Sequence, residues 1–384
     1  MLAVAPPESA LLRAGGPIAP LVKWPGGKRR ELGHLLPAWP STATRYLEPF
    51  VGGGAALFAT SSEVPAEVND ASDDLVALYR AVQATSSGVF GHLERFATWW
   101  ESLGQLDALV AELAEIHTLT LPPDNAVAVL ARHRAALVAS VPAHPSCGPC
   151  VLPEGFLAEA DRGVPRKLAR MRTVQDQRGA TLPHQDVLAN LEGALRAAAY
   201  TAIRTRHNEL RRAGDDGPER VAGFAVLREL AYAAMFRFNA AGDFNVPYGG
   251  ISYNNRDLSA RLDSWQESHL LGRLATTTLH VGDFEGFLEA TAPNSTDFVF
   301  LDPPYLSDFR DYDGNGFGPS DHLRLAACLR ALPCPFQLVI KATAEVRTWY
   351  ADPSWSLAEV DKTYAWTIKG RNDRRATHLV IQGA

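Results

Sequence analysis

Apolar and polar positions divide the chain into two strand-bearing ends and a helical middle. The segment 45–51 predicts a strand that runs into three glycines, and 63–69 contains a second short strand followed by a helix at 73–83. Further strand patterns occur towards the other end of the chain, at 278–281, 297–301, 336–341 and 378–382. Strands that alternate with helices in this way predict a doubly wound α/β sheet.

The stretch between these two groups of strands has a different texture, from about residue 85 to residue 237. Ala and Leu recur there at helical spacing, and the clearest segments are 106–116, 126–139, 187–210 and 220–236. This pattern predicts a mostly helical insertion. The insertion would split the nucleotide-binding sheet into two parts that are far apart in the sequence.

Three parts of the chain follow from this pattern. The Ala- and Pro-rich residues 1–20 lack a basic region leading into a long apolar core, so we expect a flexible tail and no secretory signal. Residues 21–84 and 274–384 are expected to form the sheet domain, and 85–273 the helical domain. No run of about 18 apolar residues occurs, so no membrane span is expected.

Composition and charge restrict the class of protein. With 384 residues, 46% hydrophobic and 21% charged, the chain is typical of a globular protein. A net charge of -6 argues against bulk attraction to nucleic acid, although Arg and Lys concentrate at 162–220 and could form a local basic face. Four cysteines in a chain of this length do not form a disulfide framework, so a cytoplasmic location is expected.

The most informative chemistry follows the predicted strand at 297–301. Asp302, Pro303, Pro304 and Tyr305 come directly after it and place a carboxylate, a rigid backbone and an aromatic ring at the carboxyl edge of the sheet, where α/β folds bind ligands. The acid and a proline carbonyl can accept hydrogen bonds from an amino group, while the ring stacks on a planar base. A Pro-Pro turn with Tyr305 packed beneath the strand accounts for the same residues.

Two glycine-rich segments flank the first predicted strand. The segment 23–28, Lys-Trp-Pro-Gly-Gly-Lys, can bring backbone amides and lysines to a carboxylate, or it can be a tight surface turn. The segment 48–54, Glu-Pro-Phe-Val-Gly-Gly-Gly, is a strand-to-helix turn whose spacing differs from G-x-G-x-x-G. Its acid disfavours a phosphate and suits a ligand with an ammonium group.

Two further acids lie where predicted strands end. Asp70 follows the second strand, roughly 20 residues after the glycines, where an acid commonly binds ribose hydroxyls. Asp283, with Phe284 beside it, follows the strand at 278–281 and could hold an adenine amino group while the ring covers the base. Each acid could equally be the N-cap of the helix that follows it.

In this order, these segments resemble the Dam-like family of adenine-specific DNA methyltransferases, the D12 class. The resemblance covers 21–84 and about 230–345, and it fades over the helical insertion. Further matching residues are Arg237 and Asn239, the Phe-Asn-Val-Pro-Tyr-Gly segment at 244–249, and the aromatic residues Phe309, Tyr312 and Phe317. The resemblance implies a Rossmann-like, AdoMet-dependent methyltransferase sheet, which is split by a mostly helical DNA-recognition insertion.

The resemblance also implies S-adenosylmethionine as the methyl donor. The residues it assigns to the donor are Trp24 and Lys28 closing over it, Glu48, Phe50, Gly52 and Gly54 at its methionine part, Asp70 at its ribose, and Asp283 and Phe284 at its adenine. These roles make 21–84 and 274–384 a donor-binding catalytic domain. The helical domain at 85–273 would then recognise the target.

The second ligand implied by the resemblance is double-stranded DNA. A target adenine would be flipped out of the duplex and stacked on Tyr305. Asp302 and the Pro303 carbonyl would accept hydrogen bonds from its 6-amino group, so that the nitrogen lone pair faces the methyl group for direct displacement. The expected catalytic residues are Asp302, Pro303, Pro304 and Tyr305, and the expected DNA-binding residues are Arg237, Asn239, Asn245 and Tyr312.

Other interpretations of these motifs stay open. The enzyme could methylate another amino or amide group, in cytosine, RNA or protein, or the chain could be a catalytically silent DNA-binding relative. A nicotinamide-dependent oxidoreductase is disfavoured by the glycine spacing. We expect a monomer, with a cognate restriction or defence system as a candidate partner.

Two features depart from the pattern. Cys147 and Cys150, with His144 nearby, suggest zinc, but a fourth ligand is not evident, so no metal site is expected. The D12 class tends to carry a Glu in its closing hairpin, where this chain has His378. That substitution leaves the role of the hairpin open.

Overall fold

The protein consists of two compact units. A computed structural model describes residues 11–13, 16–142, 152–305, 317–363 and 375–383. One unit comprises Met1–Ala84 and Trp265–Ala384, and the other comprises Thr85–Ser264. The second boundary expected from the sequence, at residue 274, falls inside a helix of the first unit, Ser268–Ala275.

The first unit is built on one seven-stranded sheet. Its strands are β1 (Arg45–Glu48), β2 (Ala66–Asp70), β3 (Thr277–Val281), β4 (Asp297–Leu301), β5 (Phe336–Lys341), β6 (Ser356–Thr363) and β7 (Arg375–Gly383). Their spatial order is β3-β2-β1-β4-β5-β7-β6. Strands β1 to β5 pair in parallel, whereas β7 pairs antiparallel with both β5 and β6. The predicted α/β sheet, split by an insertion, is confirmed.

Helices make up much of the remaining described chain. They are α1 (Leu32–Leu35), α2 (Asp73–Gln83), α3 (Ser87–Ser102), α4 (Asp107–Thr118), α5 (Asn125–Arg132), α6 (Arg134–Ala139), α7 (Leu152–Arg178), α8 (His184–Arg212), α9 (Pro218–Leu230), α10 (Leu258–Trp265), α11 (Ser268–Ala275), α12 (Phe284–Thr291), α13 (Pro319–Ala331) and α14 (Ala344–Trp349). Short 3₁₀ turns occur at Leu36–Ala38, Leu57–Ala59, Leu103–Gln105, Tyr232–Ala234 and Ile251–Tyr253.

The sheet has a switch point between β1 and β4. From β1 the chain continues to β2 and then β3 on one side, whereas β4 and β5 lie on the other side. Connections that leave neighbouring parallel strands in opposite directions open a crevice at the carboxyl ends of those strands. The crevice is therefore flanked by the residues that follow Glu48 and by those that follow Leu301.

Burial explains why four of the five residues of β4, at 298–301, are apolar. All five of its residues are buried, because the strand lies at the centre of the sheet with packing on both faces. Leu47, Val299, Leu301 and Leu338 belong to one core cluster on the side of α12 and α13. This core fixes the ends of β1 and β4, and so it fixes the edges of the crevice.

The first described residues pack against the sheet unit. Leu11 is fully buried, and its carbonyl accepts a hydrogen bond from the Ser61 amide at 2.8 Å. Ile18 is also buried, and its amide donates to the Phe58 carbonyl at 3.0 Å. The predicted flexible tail at 1–20 is therefore wrong from Leu11 onward in the described residues, because these apolar side chains gain more from burial than from solvation.

The second unit is helical, as its sequence pattern predicts. The 27-residue α7 and the 29-residue α8 pack along each other, and α4, α5 and α9 pack on this pair. Leu191, Leu195 and Ala199 form part of the buried face of α8 at helical spacing. Of the helices in the described ranges, none combines the length and the apolar character that a bilayer crossing needs.

Candidate active site

Three polar side chains meet where β4 ends. The carboxylate of Asp302 and the hydroxyl of Tyr305 both contact Nζ of Lys28, which comes from the glycine-rich segment before β1. The Tyr305 hydroxyl lies 3.4 Å from the Asp302 carboxylate, and Lys28 Nζ lies 4.9 Å from the centroid of the Tyr305 ring. Lys28 also donates to the Gly26 carbonyl at 3.2 Å. Two segments separated by 274 positions thus form one cluster.

The Lys28–Asp302 ion pair is asymmetrically exposed. Lys28 is 2% exposed, whereas Asp302 is 19% exposed. The ammonium is therefore shielded from water and depends on its partners, because a buried charge is costly unless it is paired. The carboxylate keeps an accessible face and can still accept hydrogen bonds from a ligand.

The glycines after β1 adopt a conformation that other residues rarely reach. Gly52 has a φ of 48° and Gly54 a φ of 80°. The Gly52 amide donates to Asp70 at 3.0 Å, and the Tyr79 hydroxyl donates to the Gly52 carbonyl at 3.1 Å. A Cβ on Gly54 would overlap the Tyr79 hydroxyl and approach the Phe58 ring to 2.7 Å. The loop therefore needs glycine for backbone angle and for space.

The segment 23–28 lies over this glycine loop. A Cβ on Gly52 would come within 2.6 Å of the Trp24 ring, and a Cβ on Gly53 within 2.5 Å of the Val22 carbonyl. The Leu21 amide also donates to the Gly53 carbonyl at 2.8 Å. The structure thus brings together the two glycine-rich segments that the sequence assigned to the donor.

Glu48, the last residue of β1, is a buried acid. Its carboxylate accepts a hydrogen bond from the Tyr46 hydroxyl at 2.9 Å. Burial raises the pKa of Glu48 well above its ordinary value. The charge of Asp302 raises this pKa further, whereas the Tyr46 hydrogen bond and the Arg273 charge oppose the rise. Glu48 is therefore poised to change its ionisation when a cation arrives.

Asp70 ties the loop after β1 to the start of α2. One carboxylate oxygen accepts from the Gly52 amide at 3.0 Å, and the other accepts from the Ser72 amide at 2.9 Å. Burial raises the pKa of Asp70, and the backbone hydrogen bonds oppose this rise. Each carboxylate oxygen has a second lone pair and can still accept a hydrogen bond from a ribose hydroxyl. Ribose binding by Asp70 stays a prediction.

Asp283 caps α12, which is one of the two roles that its sequence position allowed. Its side chain accepts from the Glu285 amide at 3.0 Å. No motif indicated Arg324, whose guanidinium donates to Asp283 at 2.6 Å and to Glu285 at 2.8 Å. Arg324 therefore already engages the Asp283 carboxylate. Binding of an adenine amino group by Asp283 stays a prediction.

Phe284 lies in an aromatic group next to the crevice. It is buried, and its ring centroid lies 5.5 Å from that of Phe50 and 5.7 Å from that of Phe317. Phe50 and Phe317 are only partly buried. The two partly buried rings, with Phe284 behind them, offer an apolar surface on which a planar ring can stack.

Asn69 is a site residue that the motifs did not reveal. It is almost fully buried, and its side-chain amide donates to the Pro49 carbonyl at 3.1 Å and to the Gly282 carbonyl at 2.9 Å. These carbonyls belong to the loops after β1 and β3. Asn69 therefore links three neighbouring strand ends at the carboxyl edge of the sheet.

Replacing Asn69 by Leu should weaken both folding and donor binding. The change leaves two carbonyls without this donor, and each buried group left unpaired costs about 1–3 kcal/mol. Urea unfolding should report the lost stability, and calorimetry should report weaker binding of S-adenosylmethionine. A variant with native donor affinity would contradict the view that Asn69 holds the two loops in place.

The DNA-binding residues expected at 237–245 form a hairpin-like turn in the second unit. Arg237 donates to the Asn245 side chain at 2.8 Å. The Asn239 side chain accepts from the amides of Ala241 and Asp243, each at 2.9 Å. Asn239 therefore shapes the turn through its own backbone contacts. Contact between these three residues and DNA stays a prediction.

Helix α8 holds this segment in place through residues that the sequence did not single out. The Asn208 side chain donates to the Phe244 carbonyl at 3.0 Å and accepts from the Phe244 amide at 2.9 Å. Tyr200 and Arg204 donate to the Val246 carbonyl at 2.9 and 3.0 Å. A loop whose backbone is bonded in this way is positioned by the helix beneath it.

Several predicted residues lie outside the described part of the chain. They are Phe309 and Tyr312 after the catalytic motif, and His144, Cys147 and Cys150 in the insertion. Within the described ranges, no group of three or more His, Cys, Asp or Glu side chains could hold a metal ion. The prediction that the protein has no metal site therefore stays a prediction.

A comparison with protein families identifies the family to which this chain belongs. The family described as "D12 class N6 adenine-specific DNA methyltransferase" matches residues 24–109 and 183–366, which together make up most of the chain. The chain belongs to this family. The match includes the segments that form the Lys28 cluster and the glycine loop, and it leaves 110–182 uncovered.

Individual relatives of the D12 class agree with this result. Type II methyltransferase M.CviBI of Paramecium bursaria Chlorella virus NC1A is 24% identical over 94% of this chain and 98% of its own length. Type II methyltransferase M.MjaIII of Methanocaldococcus jannaschii is 23% identical, covering 82% of this chain and 80% of the relative. A DNA adenine methylase of Vibrio cholerae is 26% identical over 46% of this chain and 63% of its own length.

Membership of the D12 class confirms the family and the enzyme class that the motifs indicated. The chain is an adenine-specific DNA methyltransferase by family. The seven-stranded sheet, with its antiparallel β7, is consistent with the AdoMet-dependent methyltransferase fold. Membership of this family argues against the interpretation of the chain as a nicotinamide-dependent oxidoreductase.

Proposed function

We propose that this D12-class enzyme transfers a methyl group from S-adenosylmethionine to the 6-amino group of an adenine that is flipped out of duplex DNA. The observation that carries the proposal is the cluster of Lys28, Asp302 and Tyr305 beside the glycine loop. It places an acceptor for an amino group and a ring for stacking at the edge of a crevice suited to a nucleoside-like donor.

The residues around the crevice fit the donor. S-adenosylmethionine supplies the methyl group on a sulfonium centre. Positive φ angles at Gly52 and Gly54 give the glycine loop a turn that other residues rarely form, and on this proposal the backbone of that turn faces the donor. Glu48 offers a carboxyl for the ammonium group, and Asp70 offers oxygens for the ribose. The rings of Phe50 and Phe284 offer a surface for the adenine.

Asp302 and Tyr305 fit the acceptor base. On this proposal, Tyr305 stacks on the flipped adenine, and Asp302 and the Pro303 carbonyl accept hydrogen bonds from its amino group. These bonds direct the nitrogen lone pair towards the methyl carbon. Lys28 holds the Asp302 carboxylate and the Tyr305 hydroxyl at fixed positions, which limits the reorganisation that the reaction requires.

The helical unit supplies candidate contacts to DNA. Arg162, Arg166 and Arg170 recur at four-residue spacing on α7, and all three are exposed. We propose that Arg166 and Arg170 contact phosphates, because Arg162 is already paired with Glu159 at 2.6 Å. Such contacts give affinity without sequence choice. Arg237, Asn239, Asn245 and Tyr312 are also proposed to contact DNA.

A cytoplasmic site of action fits a DNA substrate and the free cysteines Cys328 and Cys334. The type II names of the two relatives with the broadest coverage described above suggest a cognate restriction enzyme as partner. We also propose that the enzyme acts as a monomer.

Labelled donor tests the proposal directly. The protein is incubated with tritiated S-adenosylmethionine and unmethylated bacterial genomic DNA, and the DNA is then digested to nucleosides. Label should appear in N6-methyldeoxyadenosine. Label in cytosine alone, or in RNA or protein, would overturn the proposal, as would the absence of any transfer by a protein that binds the donor.

Donor binding should release a proton from Glu48. Burial keeps this carboxyl protonated well above its ordinary pKa of 4.5, and a cation placed beside it lowers the pKa again. Binding should therefore strengthen as the pH rises from 4.5 towards the raised pKa. Over the same range, the free protein loses stability, because burying an ionised Glu48 is unfavourable.

Calorimetry in buffers of different ionisation enthalpy measures the proton released on binding. The Glu48→Gln variant, which has similar shape and cannot ionise, should release fewer protons than the wild type. Equal proton release by the two proteins would show that Glu48 does not change its ionisation on binding.

A further inference from the structure

A buried histidine-glutamate pair lies next to the proposed catalytic cluster and has no role in the proposed reaction. His378 is on β7, opposite Lys341 of β5, and is fully buried. Its Nδ1 lies 2.9 Å from a carboxylate oxygen of Glu31, which is also buried. Two buried polar groups at opposite ends of the sequence are held together by this bond.

The pair touches the cluster at two places. The His378 ring lies edge-on to the Tyr305 ring, with centroids 5.2 Å apart and an interplanar angle of 63°. The Glu31 amide donates to the Lys28 carbonyl at 2.7 Å, and Lys28 in turn contacts the Tyr305 hydroxyl. The contacts thus form a closed circuit through Lys28, Tyr305, His378 and Glu31.

The circuit contacts Tyr305 at its hydroxyl and at its ring. Tyr305 follows two prolines and lies outside any helix or strand, so its ring is held by side-chain contacts. Lys28 holds the hydroxyl end, and His378 packs against the ring. Edge-to-face aromatic pairs have a preferred geometry, so a histidine that is itself fixed by Glu31 restricts the plane of its partner.

We propose that Glu31 and His378 are positioning residues that set the plane of Tyr305 for stacking on the acceptor base. This inference rests on the proposed function and deepens it. It also gives a role to the position where the D12 class tends to carry a Glu. The pair acts on the rate of transfer through Tyr305, and it does not act on the affinity for the donor.

Two substitutions separate the ring of His378 from its hydrogen bond. His378→Asn keeps a donor near the position of Nδ1 and removes the ring. This variant should keep donor affinity within about twofold, while its single-turnover rate falls by about 10- to 100-fold, since small misplacements of a reacting group have effects of this size. His378→Phe keeps a ring and removes the hydrogen bond to Glu31, so it should lose thermal stability and retain more of the rate than His378→Asn.

The chain offers a matched control at His280. Its Nε2 lies 2.9 Å from Glu67, and its ring lies edge-on to Phe287 with centroids 5.2 Å apart, on β3 and away from Tyr305. His280→Asn removes the same type of contact, and it should leave the single-turnover rate unchanged.

A second measurement does not depend on the substrate. The protein is labelled with 3-fluorotyrosine, and the Tyr305 resonance is assigned by its loss in Tyr305→Phe. This resonance should move in His378→Asn and in Glu31→Ala, and it should not move in His280→Asn. An unchanged Tyr305 resonance, or a rate in His378→Asn equal to wild type, would overturn the inference. A wild type that transfers no methyl group to adenine would instead overturn the proposed function.

Discussion

Replacing Asp302 by Ala should abolish methyl transfer and leave S-adenosylmethionine binding largely intact. The variant loses the carboxylate that is proposed to accept hydrogen bonds from the adenine amino group, and Lys28 loses its ionic partner. Removing one preorganised polar group from an active site typically costs about 10²–10³-fold in rate. Loss of the ion pair with Lys28 disturbs Tyr305 as well, so we expect the rate of methyl transfer to fall by about 10³-fold or more.

Single-turnover transfer of tritium to unmethylated genomic DNA measures the rate, and calorimetry measures donor affinity. Asp361→Ala is the matched control, because this acid is exposed on β6 and bonds to Thr377 at 3.0 Å. If loss of the Lys28–Asp302 ion pair lowers stability too far, Asp302→Ala combined with Lys28→Met removes both charges, and replacing both members of a buried ion pair is often tolerated. Wild-type activity in either variant would remove Asp302 from the mechanism.

Gly54→Ala should eliminate donor binding and strongly destabilise the sheet unit. The new methyl group would overlap the Tyr79 hydroxyl, and the φ of 80° is unfavourable for alanine. Overpacking costs about 1–3 kcal/mol, and a strained backbone conformation costs a similar amount. If the loop moves to relieve the overlap, the backbone that is proposed to face the donor moves with it.

Gly272→Ala is the matched control for this substitution. Gly272 lies in α11 of the same unit, and an added Cβ there meets open space. Alanine inside a helix is favoured over glycine by about 1 kcal/mol, so this variant should be at least as stable as wild type. The unfolding temperature should therefore fall in Gly54→Ala and stay the same or rise in Gly272→Ala. Calorimetry should show loss of donor binding in Gly54→Ala alone. Native donor affinity in Gly54→Ala would show that the loop is not part of the donor site.

The sequence predicted the central strands well and missed an edge strand. Four of the five residues of β4, at 298–301, are apolar because the strand is buried on both faces, and such a run is visible without any partner. β6 has the sequence Ser-Leu-Ala-Glu-Val-Asp-Lys-Thr, and its Leu357 is exposed. It is a strand because β7 pairs with it, and that pairing is a property of the folded sheet.

The same distinction applies to the site. The motif after β4 predicted that Asp302 and Tyr305 lie at the carboxyl edge of the sheet, because residues that directly follow a strand have a known place there. Lys28 precedes β1, and only the family resemblance assigned it to the site. The motifs could not predict Asn69 or the Glu31–His378 pair, whose partners are distant in sequence. A residue whose function is to hold another residue becomes visible only when both are placed in the fold.

The split sheet has a consequence for the order in which the chain can fold during synthesis. β1 pairs with β4, yet 248 residues separate the end of β1 at Glu48 from the start of β4 at Asp297. β1 and β2 therefore leave the ribosome long before their other neighbours exist, and they expose unpaired edges that invite aggregation. The helical unit ends at Ser264, so it is complete before β4 has been synthesised and can form in the meantime. A transcript truncated before β4 would thus produce a folded helical unit attached to an incomplete sheet, and the cell would have to degrade it.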